Sequence, residues 1–272
     1  LAKFIAKKRA PIAKEIYREL GGSSPILKLT YEQSQKLENK LNNNQSDEYK
    51  CFVVMRCWNP RASKVIEDVK SFDPEEVILL PLYPQFSAST SASSIKEWKD
   101  ICKKKNYKTK TNVICCYPQD TNFIKAHTLE ITNKIKDLNN FKLIFSAHGL
   151  PERNIKKGDP YQWQIEQTVN KIVESLDIEN LDWIISYQSR VGPLKWIGPS
   201  TDNVIIENSK LKKDIVIVPI AFVSEHSETL VELDIEYKKI AEINGCKNYI
   251  RVPALGVNEI FIEALKNLII NK

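Results

Sequence analysis

The stretch KLIFSAHGLP at residues 142–151 runs from an apolar segment directly into a polar turn that contains a histidine and a glycine. Residues 143–145 are apolar without interruption, which is typical of a strand covered on both faces. Similar short apolar runs recur along the chain and alternate with longer segments of helical pattern. This alternation predicts an α/β fold built on parallel sheets.

The other predicted elements follow from the same patterns. Candidate strands are Cys51–Arg56, Val77–Pro81, Thr111–Cys116, Lys142–Ser146, Trp183–Tyr187, Asp214–Pro219 and Asn248–Val252. Candidate helices are Ala62–Lys70, Ser93–Lys105, Phe123–Leu138, Pro160–Leu176, Glu225–Ile243 and Val257–Ile270. Polar loops with glycine or proline follow most of these strands. Because open α/β sheets bind ligands at the carboxyl ends of their strands, the loops predict a ligand-binding cleft.

The composition argues against several classes of protein. The chain has 272 residues, 42% of them hydrophobic, and no apolar run approaches the ~18 residues of a membrane span. Only eight glycines are present, which disfavours the glycine-rich phosphate loops of nucleotide-binding folds. The net charge of +6 comes mostly from lysines interleaved with acids, so we expect no nucleic-acid partner. Six cysteines without a CxxC pair are typical of reduced cytoplasmic thiols.

His148 is the first candidate for chemistry. It follows the apolar run directly and precedes Gly149, so the sequence places it at a rigid strand end where a ligand can approach closely. An imidazole with an ordinary pKa of ~6.5 accepts a proton or binds a metal near neutral pH. The alternative is a histidine that only satisfies a local hydrogen bond.

A row of carboxylates opens the helix predicted after the sixth strand. Glu225, Glu228, Glu232 and Glu236 fall on one helical face, and no basic residue precedes Lys238 to balance them. Like charges at this spacing destabilise an isolated helix. The row is either a solvated acidic face or a path for hydrated metal or protons. A carboxylate opposite an imidazole suits Fe²⁺ or a similar ion.

Aromatic residues gather in the loops that follow the strands. Trp196 is notable because GPLKWIGP at residues 192–199 predicts a rigid loop rather than a strand. A cleft with aromatic walls, a base and a carboxylate suits a flat, apolar substrate that carries exchangeable protons. Arg9, Tyr17 and Ser24 offer basic and hydroxyl groups suited to acidic tails on such a substrate.

Five longer segments together resemble ferrochelatases, the enzymes that insert ferrous iron into protoporphyrin to make haem. They are FIAKKRAPIAKEIYRELGGSSPI at 4–26, PLYPQFSASTSASS at 81–94, FSAHGLPERNIKKGDPYQWQ at 145–164, SYQSRVGPLKWIGPSTD at 186–202 and PIAFVSEHSETLVELDIEY at 219–237. The segments match in order and extend over nearly the whole chain.

The resemblance implies two Rossmann-like domains of the chelatase type, each a parallel sheet flanked by helices, with a cleft between them. We expect an N-terminal domain of residues 1–119 plus 256–272 and a C-terminal domain of residues 120–255. The last helix would then pack back on the first domain.

The resemblance also implies the roles of individual residues. His148 and Glu228 match the active-site histidine and the carboxylate that faces it across the porphyrin, and both are expected to contact the metal. The expected porphyrin contacts are Arg9, Tyr17, Ser24, Arg56, Trp196 and Phe222. His226, Glu232 and Glu236 are expected beside the site, along a path for metal or protons.

This reading makes the chain a metal chelatase, a lyase that forms protohaem from protoporphyrin IX and ferrous iron in the final step of haem biosynthesis. Two alternatives stay open at this stage: an inactive or weakly active tetrapyrrole-binding remnant, and a ferrochelatase that acts on coproporphyrin. The remnant is considered because the opening strand–turn–helix unit of the family is not seen before residue 4. We therefore expect either a chain that lacks its start or a remnant that folds poorly. MRCWNP at 55–60 also departs from the family's MRYWHP.

We expect no cofactor beyond the substrate Fe²⁺. No cysteine follows Cys246, so the C-terminal iron–sulfur ligands of some relatives have no counterpart. The expected form is a monomer in the cytoplasm. The basic, amphipathic first twenty residues also allow peripheral contact with the inner membrane.

Overall fold

The computed structural model describes residues 10–11, 14–43 and 47–272. Every strand pairing found there is parallel, as the apolar strand patterns predicted. The chain divides into two compact units, each assembled from three separate segments. We call them the four-strand unit and the two-strand unit after their sheets. The predicted domain boundaries, and the predicted cleft between the domains, stay predictions.

The four-strand unit comprises Leu1–Leu29, Glu130–Leu150 and Ile178–Ala254. Its strands are β1 (Phe141–His148), β2 (Trp183–Gln188), β3 (Asp214–Pro219) and β4 (Tyr249–Arg251), arranged in the order β2-β1-β3-β4. Helix α1 (Thr201–Lys210), a π-helix (Glu228–Tyr237) and α2 (Lys238–Ile243) pack on this sheet. Side chains from β1, β3 and these helices form one apolar core that includes Ile144, Ile205, Ile217 and Leu233.

Strand β1 lies in the middle of this sheet and is buried along most of its length. Residues 143–147 are completely inaccessible to solvent, while His148 at the carboxyl end is half-buried. A central parallel strand is covered on both faces, which is why its sequence is apolar without alternation. The same burial makes β1 a rigid base for the histidine.

The two-strand unit comprises Thr30–Leu129, Pro151–Asp177 and Leu255–Lys272. Its strands are β5 (Glu76–Leu79) and β6 (Lys110–Val113), and a short π-helix spans Ala88–Ala92. Its helices are α3 (Ile26–Leu41), α4 (Ala62–Phe72), α5 (Ser93–Lys104), α6 (Thr121–Ile135), α7 (Glu152–Lys156), α8 (Tyr161–Leu176) and α9 (Glu259–Ile270), although α3 and α6 each extend by a few residues across the division.

The last helix contacts a helix from the early part of the chain. The side-chain amide of Gln33 donates to the carbonyl of Gly256 at 2.9 Å, and Lys40 pairs with Glu259 at 3.3 Å. The rings of Phe123 and Phe261 lie 6.2 Å apart. These contacts place α9 in the core of the two-strand unit.

One predicted strand is wrong. Residues 51–56 form no ladder with any strand in the described residues. The amide of Cys51 instead donates to the Glu38 carboxylate at 2.7 Å, and the amide of Met55 donates to the carbonyl of Pro60 at 2.8 Å. An apolar, β-branched segment is thus extended, but its hydrogen bonds are made locally rather than in a sheet.

In the described part of the chain, the helices without a counterpart in the sequence-based prediction include Ile26–Leu41, Glu152–Lys156 and Thr201–Lys210. The last of these buries Thr201, Asn208 and Ser209 beside only two aliphatic residues, so its apolar period is faint. Within the described ranges, no helix combines the length and the apolar character that crossing a membrane requires.

Candidate active site

A cavity of about 850 Å³ lies at the carboxyl end of the four-strand sheet. Its volume falls within the roughly 300–1,000 Å³ of small-molecule sites. All of its lining residues belong to the four-strand unit. Apart from Ile16, they come from the ends of β1 and β2, the loop after β2, the start of α1, and the π-helix with the residue before it. Those that carry the argument are His148, Ser189, Trp196, Glu228, Glu232 and Glu236.

His148 and Glu228 contact each other directly in this cavity. Nδ1 of His148 lies 2.7 Å from Oε2 of Glu228, which is a short, charge-assisted hydrogen bond. In the sequence, His148 and Glu228 are 80 residues apart. The parallel pairing of β1 with β3 brings the end of β1 next to the segment that follows β3.

The contact changes the pKa of both groups. Burial alone would lower the pKa of His148, but the hydrogen bond and charge of Glu228, with the charge of Glu232, raise it above its ordinary value. Burial alone would raise the pKa of Glu228, but its bond to His148, the charge on both nearby histidines and the Ser189 hydroxyl lower it. The contact therefore favours an imidazolium beside a carboxylate.

Ser189 links the Glu228 carboxylate to the next carboxylate of the π-helix. Its hydroxyl lies 3.0 Å from Oε2 of Glu228 and 2.5 Å from Oε2 of Glu232. Its backbone N–H also donates to Oε1 of Glu232 at 2.8 Å. Ser189 has a φ of 59°, an unusual conformation for a residue other than glycine, and this turn aims both donors at the π-helix.

Glu232 accepts two further hydrogen bonds. One comes from the side-chain amide of Gln188 at 3.1 Å and one from the hydroxyl of Tyr237 at 2.9 Å. Together with the two donors of Ser189, these bonds hold the Glu232 carboxylate in one orientation. Further along the same wall, burial and the charge of Glu232 raise the pKa of Glu236. The row thus begins with an acidic carboxyl and ends with a more basic one.

The aromatic wall depends on a close approach of backbone to ring. A Cβ added to Gly149 would lie 3.3 Å from Cε3 of Trp196 and 3.0 Å from the carbonyl oxygen of Gln188. The glycine therefore lets the Trp196 loop reach the end of β1. The indole N–H of Trp196 is buried and has no hydrogen-bond partner within the described ranges.

His226 and Phe222 are not part of the cavity lining. Their rings are 4.6 Å apart, and Nε2 of His226 lies 4.0 Å from Oε1 of Glu228. The other nitrogen, Nδ1, lies 3.1 Å from the carbonyl oxygen of Ser224. This arrangement fits the expected place of His226 beside the site. Phe222 contacts the ring of His226 and does not line the cavity.

One member of the predicted acidic row faces elsewhere. Glu225 precedes the π-helix, pairs with Arg251 at 2.8 Å and accepts from the amide of Ala254 at 2.9 Å. The assumption of a regular α-helix put Glu225 on the face of the other three carboxylates. Because the π-helix begins only at Glu228, that periodicity does not extend back to Glu225.

The remaining predicted contacts are distributed over both units. Ile16 lines the cavity, while its neighbour Tyr17 is 41% exposed. Ser24 accepts from the amide of Ile26 at 3.4 Å. Arg9 lies outside the described residues. Arg56 belongs to the two-strand unit, where it donates to Ser93 and pairs with Glu97 at 3.2 Å.

The sequence analysis missed Gln188, Ser189 and Tyr237 as site residues. Gln188 ends β2 and Ser189 follows it, so their position at a polar strand end could have indicated both. Tyr237 could not be found in this way, because its contact with Glu232 depends on the π-helical register.

The described residues contain no group of three or more His, Cys, Asp or Glu side chains placed to hold a metal ion. The imidazole of His148 and the carboxylate of Glu228 are metal-binding groups that lie together in the cavity, and Ser189 links them to the carboxylate of Glu232.

Comparison with known proteins decides the family. The ferrochelatase family model matches residues 1–272, which is the whole chain. The chain belongs to the ferrochelatase family. A ferrochelatase of Pelagibacter ubique is 76% identical over 273 residues, covering 100% of this chain and 79% of the relative. A ferrochelatase of Wolbachia pipientis is 50% identical over 274 residues, covering 100% of this chain and 86% of that protein.

Membership of the ferrochelatase family confirms the expected enzyme class, a metal chelatase that inserts iron into a porphyrin in haem biosynthesis. Two solved structures share the fold. One is SirB from Bacillus subtilis with Fe³⁺, with a TM-score of 0.64 and 13% identity over 88% of each chain. The other is the sirohydrochlorin chelatase SirB of subspecies spizizenii in complex with cobalt, with a TM-score of 0.60, 14% identity and coverage of 90% of this chain and 88% of that chain. These likenesses confirm the predicted α/β chelatase fold.

Proposed function

We propose that this ferrochelatase inserts Fe²⁺ into protoporphyrin IX, forming protohaem and releasing two protons, with His148 as proton acceptor and Glu228 as its partner. The observation that carries the proposal is the 2.7 Å contact between these two side chains inside the cavity. Insertion replaces two pyrrole N–H bonds with bonds to iron. The site must therefore supply a base beside a place where a cation is stable.

Before the porphyrin binds, His148 and Glu228 share one proton. In direct contact, the imidazolium and the carboxylate neutralise each other's charge. A flat ring that enters between them separates the pair, and burying two isolated charges costs more than burying neutral groups. As the ring binds, the pair therefore loses its shared proton to solvent, which leaves neutral His148 to accept a pyrrole proton.

The carboxylates of the π-helix are suited to carry ions between the pair and solvent. Glu228 and Glu232 share the Ser189 hydroxyl, and Glu236 lines the same cavity. The raised pKa of Glu236 lets it take up a proton at a higher pH than an ordinary glutamate. We propose that protons leave along this row, and that hydrated Fe²⁺ is steered by the same carboxylates.

Zinc insertion into protoporphyrin tests these roles because the product is followed by its absorbance. We expect His148→Ala to lower kcat by roughly 10²–10⁴-fold, the usual effect of removing a general base. Near-native turnover in this variant would overturn the assignment of His148. Glu242→Gln, which changes an exposed carboxylate, serves as the control and should retain wild-type turnover.

Parallel assays with protoporphyrin and coproporphyrin test the substrate. We expect faster turnover of protoporphyrin IX. Faster turnover of coproporphyrin would assign the enzyme to the substrate with four acidic tails. Binding of porphyrin without metal insertion would instead identify a tetrapyrrole-binding remnant.

We propose further that the enzyme is a monomer that needs no cofactor beyond its substrate iron, and that it works in the cytoplasm or on the inner face of the inner membrane. The net charge of +6 supports attraction to anionic lipid. Co-sedimentation with anionic vesicles at low and high salt decides between the two locations. Light scattering determines the mass in solution, and absorbance of the purified protein reports any iron–sulfur cluster.

A further inference from the structure

Arg251 connects β4 to the segment that carries the catalytic carboxylate. Its Nη1 donates to Oε1 of Glu225 at 2.8 Å, and its Nε donates to Oδ1 of Asp234 at 2.5 Å. Glu225 lies three residues before Glu228, and Asp234 lies in the second half of the π-helix. One guanidinium thus binds both sides of the stretch that contains Glu228 and Glu232.

The connection is buried and specific. The Arg251 side chain is only 12% exposed. An arginine presents donors in a fixed plane, so two carboxylates bound to it are held at a set separation. Removing the cation would leave two partly buried carboxylates without their partner, which is strongly unfavourable.

A second side chain of the same strand reinforces the connection. Tyr249 and Arg251 are two residues apart, so they project from the same face of β4. The hydroxyl of Tyr249 donates to the carbonyl of Leu233 at 2.6 Å. Two side chains of β4 therefore bind the π-helix, Tyr249 at its backbone and Arg251 at a side chain.

A π-helix of this length needs such support. Its hydrogen bonds span one residue more than those of an α-helix, and most π-helical segments in proteins last a single turn. Here the register extends over the ten residues Glu228–Tyr237. A return to α-helical register would rotate Glu228 and Glu232 relative to each other.

We propose that Arg251 is a positioning residue for metal insertion, which fixes the π-helical register that holds Glu228 against His148. Arg251 acts through the helix and is not part of the cavity lining. The inference rests on the proposed function of His148 and Glu228.

The test compares Arg251→Met with the wild-type full chain in two measurements. The first is the ¹⁵N chemical shift of the His148 ring at one fixed pH, which reports its bond to Glu228 without any substrate. With three histidines in the chain, the resonances can be assigned by substitution. The second is zinc insertion over a range of pH, in which we expect kcat to fall roughly 10²-fold with little change in KM.

The matched control is Lys142→Met, which removes an ion pair with Asp182 in the same unit. It should leave the His148 shift and the pH profile unchanged. Arg251→Lys retains the charge but not the planar fork, so we expect an intermediate loss of kcat. If Arg251→Met does not fold, Asp234→Asn removes one arm of the connection and is measured instead.

A folded Arg251→Met protein with the wild-type His148 shift and pH profile would overturn the proposal, as would equal changes in Lys142→Met. The two proposals fail separately. A wild-type chain without chelatase activity contradicts the proposed function, whereas the His148 shift still decides whether Arg251 positions Glu228.

Discussion

Glu228 sets the pH at which His148 becomes a base. In the free enzyme the carboxylate raises the pKa of the imidazole above its ordinary value, so the neutral form is reached only at higher pH. Activity that depends on neutral His148 must then decline as the pH falls through this raised value. The acid limb of kcat/KM reports it, because that ratio follows the ionisation of the free enzyme.

We therefore expect Glu228→Gln to shift the acid limb of kcat/KM toward lower pH. An amide carries no charge, so the pKa of His148 returns toward ~6.5 and the base is available at a lower pH. Turnover at pH 8 should nevertheless fall by roughly 10²-fold or more, since the partner carboxylate is lost. Zinc insertion measured between pH 5.5 and 9, with Glu242→Gln as control, checks both effects. An acid limb that stays in place would show that another group titrates there.

His127 offers a test of stability away from the site. It is completely buried in α6, its ring lies 4.8 Å from that of Phe123, and neither nitrogen has a hydrogen-bond partner in the part of the chain that the structure describes. Burial lowers the pKa of His127 to about 3. The folded protein thus keeps His127 neutral, while the unfolded chain takes up a proton below pH ~6.5, so stability is lost as the pH falls from there toward 3.

Replacing His127 with leucine should remove this loss. At pH 8 we expect the substitution to be neutral or stabilising by about 1–3 kcal/mol, because no buried polar atom is left unpaired. At pH 5 the advantage should be larger by about 2 kcal/mol, the cost of the proton that only the unfolded wild type binds. Urea unfolding of both proteins at both pH values measures the difference. An advantage that does not grow in acid would contradict this account of His127.

At the scale of secondary-structure elements, the contact between the end of β1 and the Trp196 loop is sensitive to side-chain volume. A Cβ on Gly149 would lie 3.2 Å or less from two atoms, one of them the backbone oxygen of Gln188. We expect Gly149→Ala to cost about 1–3 kcal/mol through overpacking, with a several-fold weaker affinity for porphyrin as the tryptophan moves. Fluorescence quenching by protoporphyrin measures the affinity.

Gly198→Ala is the matched control for this substitution. Gly198 lies in the same loop, and the nearest atom to an added Cβ is 3.9 Å away. It should bind porphyrin as the wild type does. Equal losses in the two variants would mean that loop flexibility, and not the close approach at Gly149, controls the position of the ring.

The limits of sequence-based prediction also appear at this scale. Buried strands such as β1 were predictable because an uninterrupted apolar run has few alternatives in a chain that alternates strand and helix patterns. The π-helix was not, because its register depends on contacts with Arg251 and Tyr249, which belong to the next strand rather than to the helix itself. For the same reason the sequence placed Glu225 in the acidic row, although it belongs to the connection with Arg251.

The site itself was predictable in part. His148 follows from its place at a strand end, and its motif supports the same residue. The direct bond to Glu228 and the double role of Ser189 were not predictable, since they arise from parallel pairing and from a left-handed turn. These contacts determine that the pKa of His148 is raised and that of Glu228 is lowered. Charge partners must be located in space before such shifts can be assigned.

For the whole molecule, the path of the chain matters because each unit combines segments that are distant in sequence. Helix α9 completes the core of the two-strand unit, although the chain passes through most of the four-strand unit before reaching it. Phe261 is fully buried there beside the ring of Phe123. The last helix therefore stabilises residues from the first half of the chain.

We expect Phe261→Ala to lower the free energy of unfolding by about 3–5 kcal/mol, because it removes a large buried ring and leaves a cavity that the surrounding helices fill only in part. Leu129→Ala is the control, since Leu129 belongs to the same unit and is 44% exposed, and it should cost less than about 1 kcal/mol. Urea titration followed by circular dichroism measures both. If Phe261→Ala were no more costly than Leu129→Ala, the core of the two-strand unit would not depend on the last helix, and the separate apolar cluster around Ile66 and Trp98 would be the better candidate for the source of its stability.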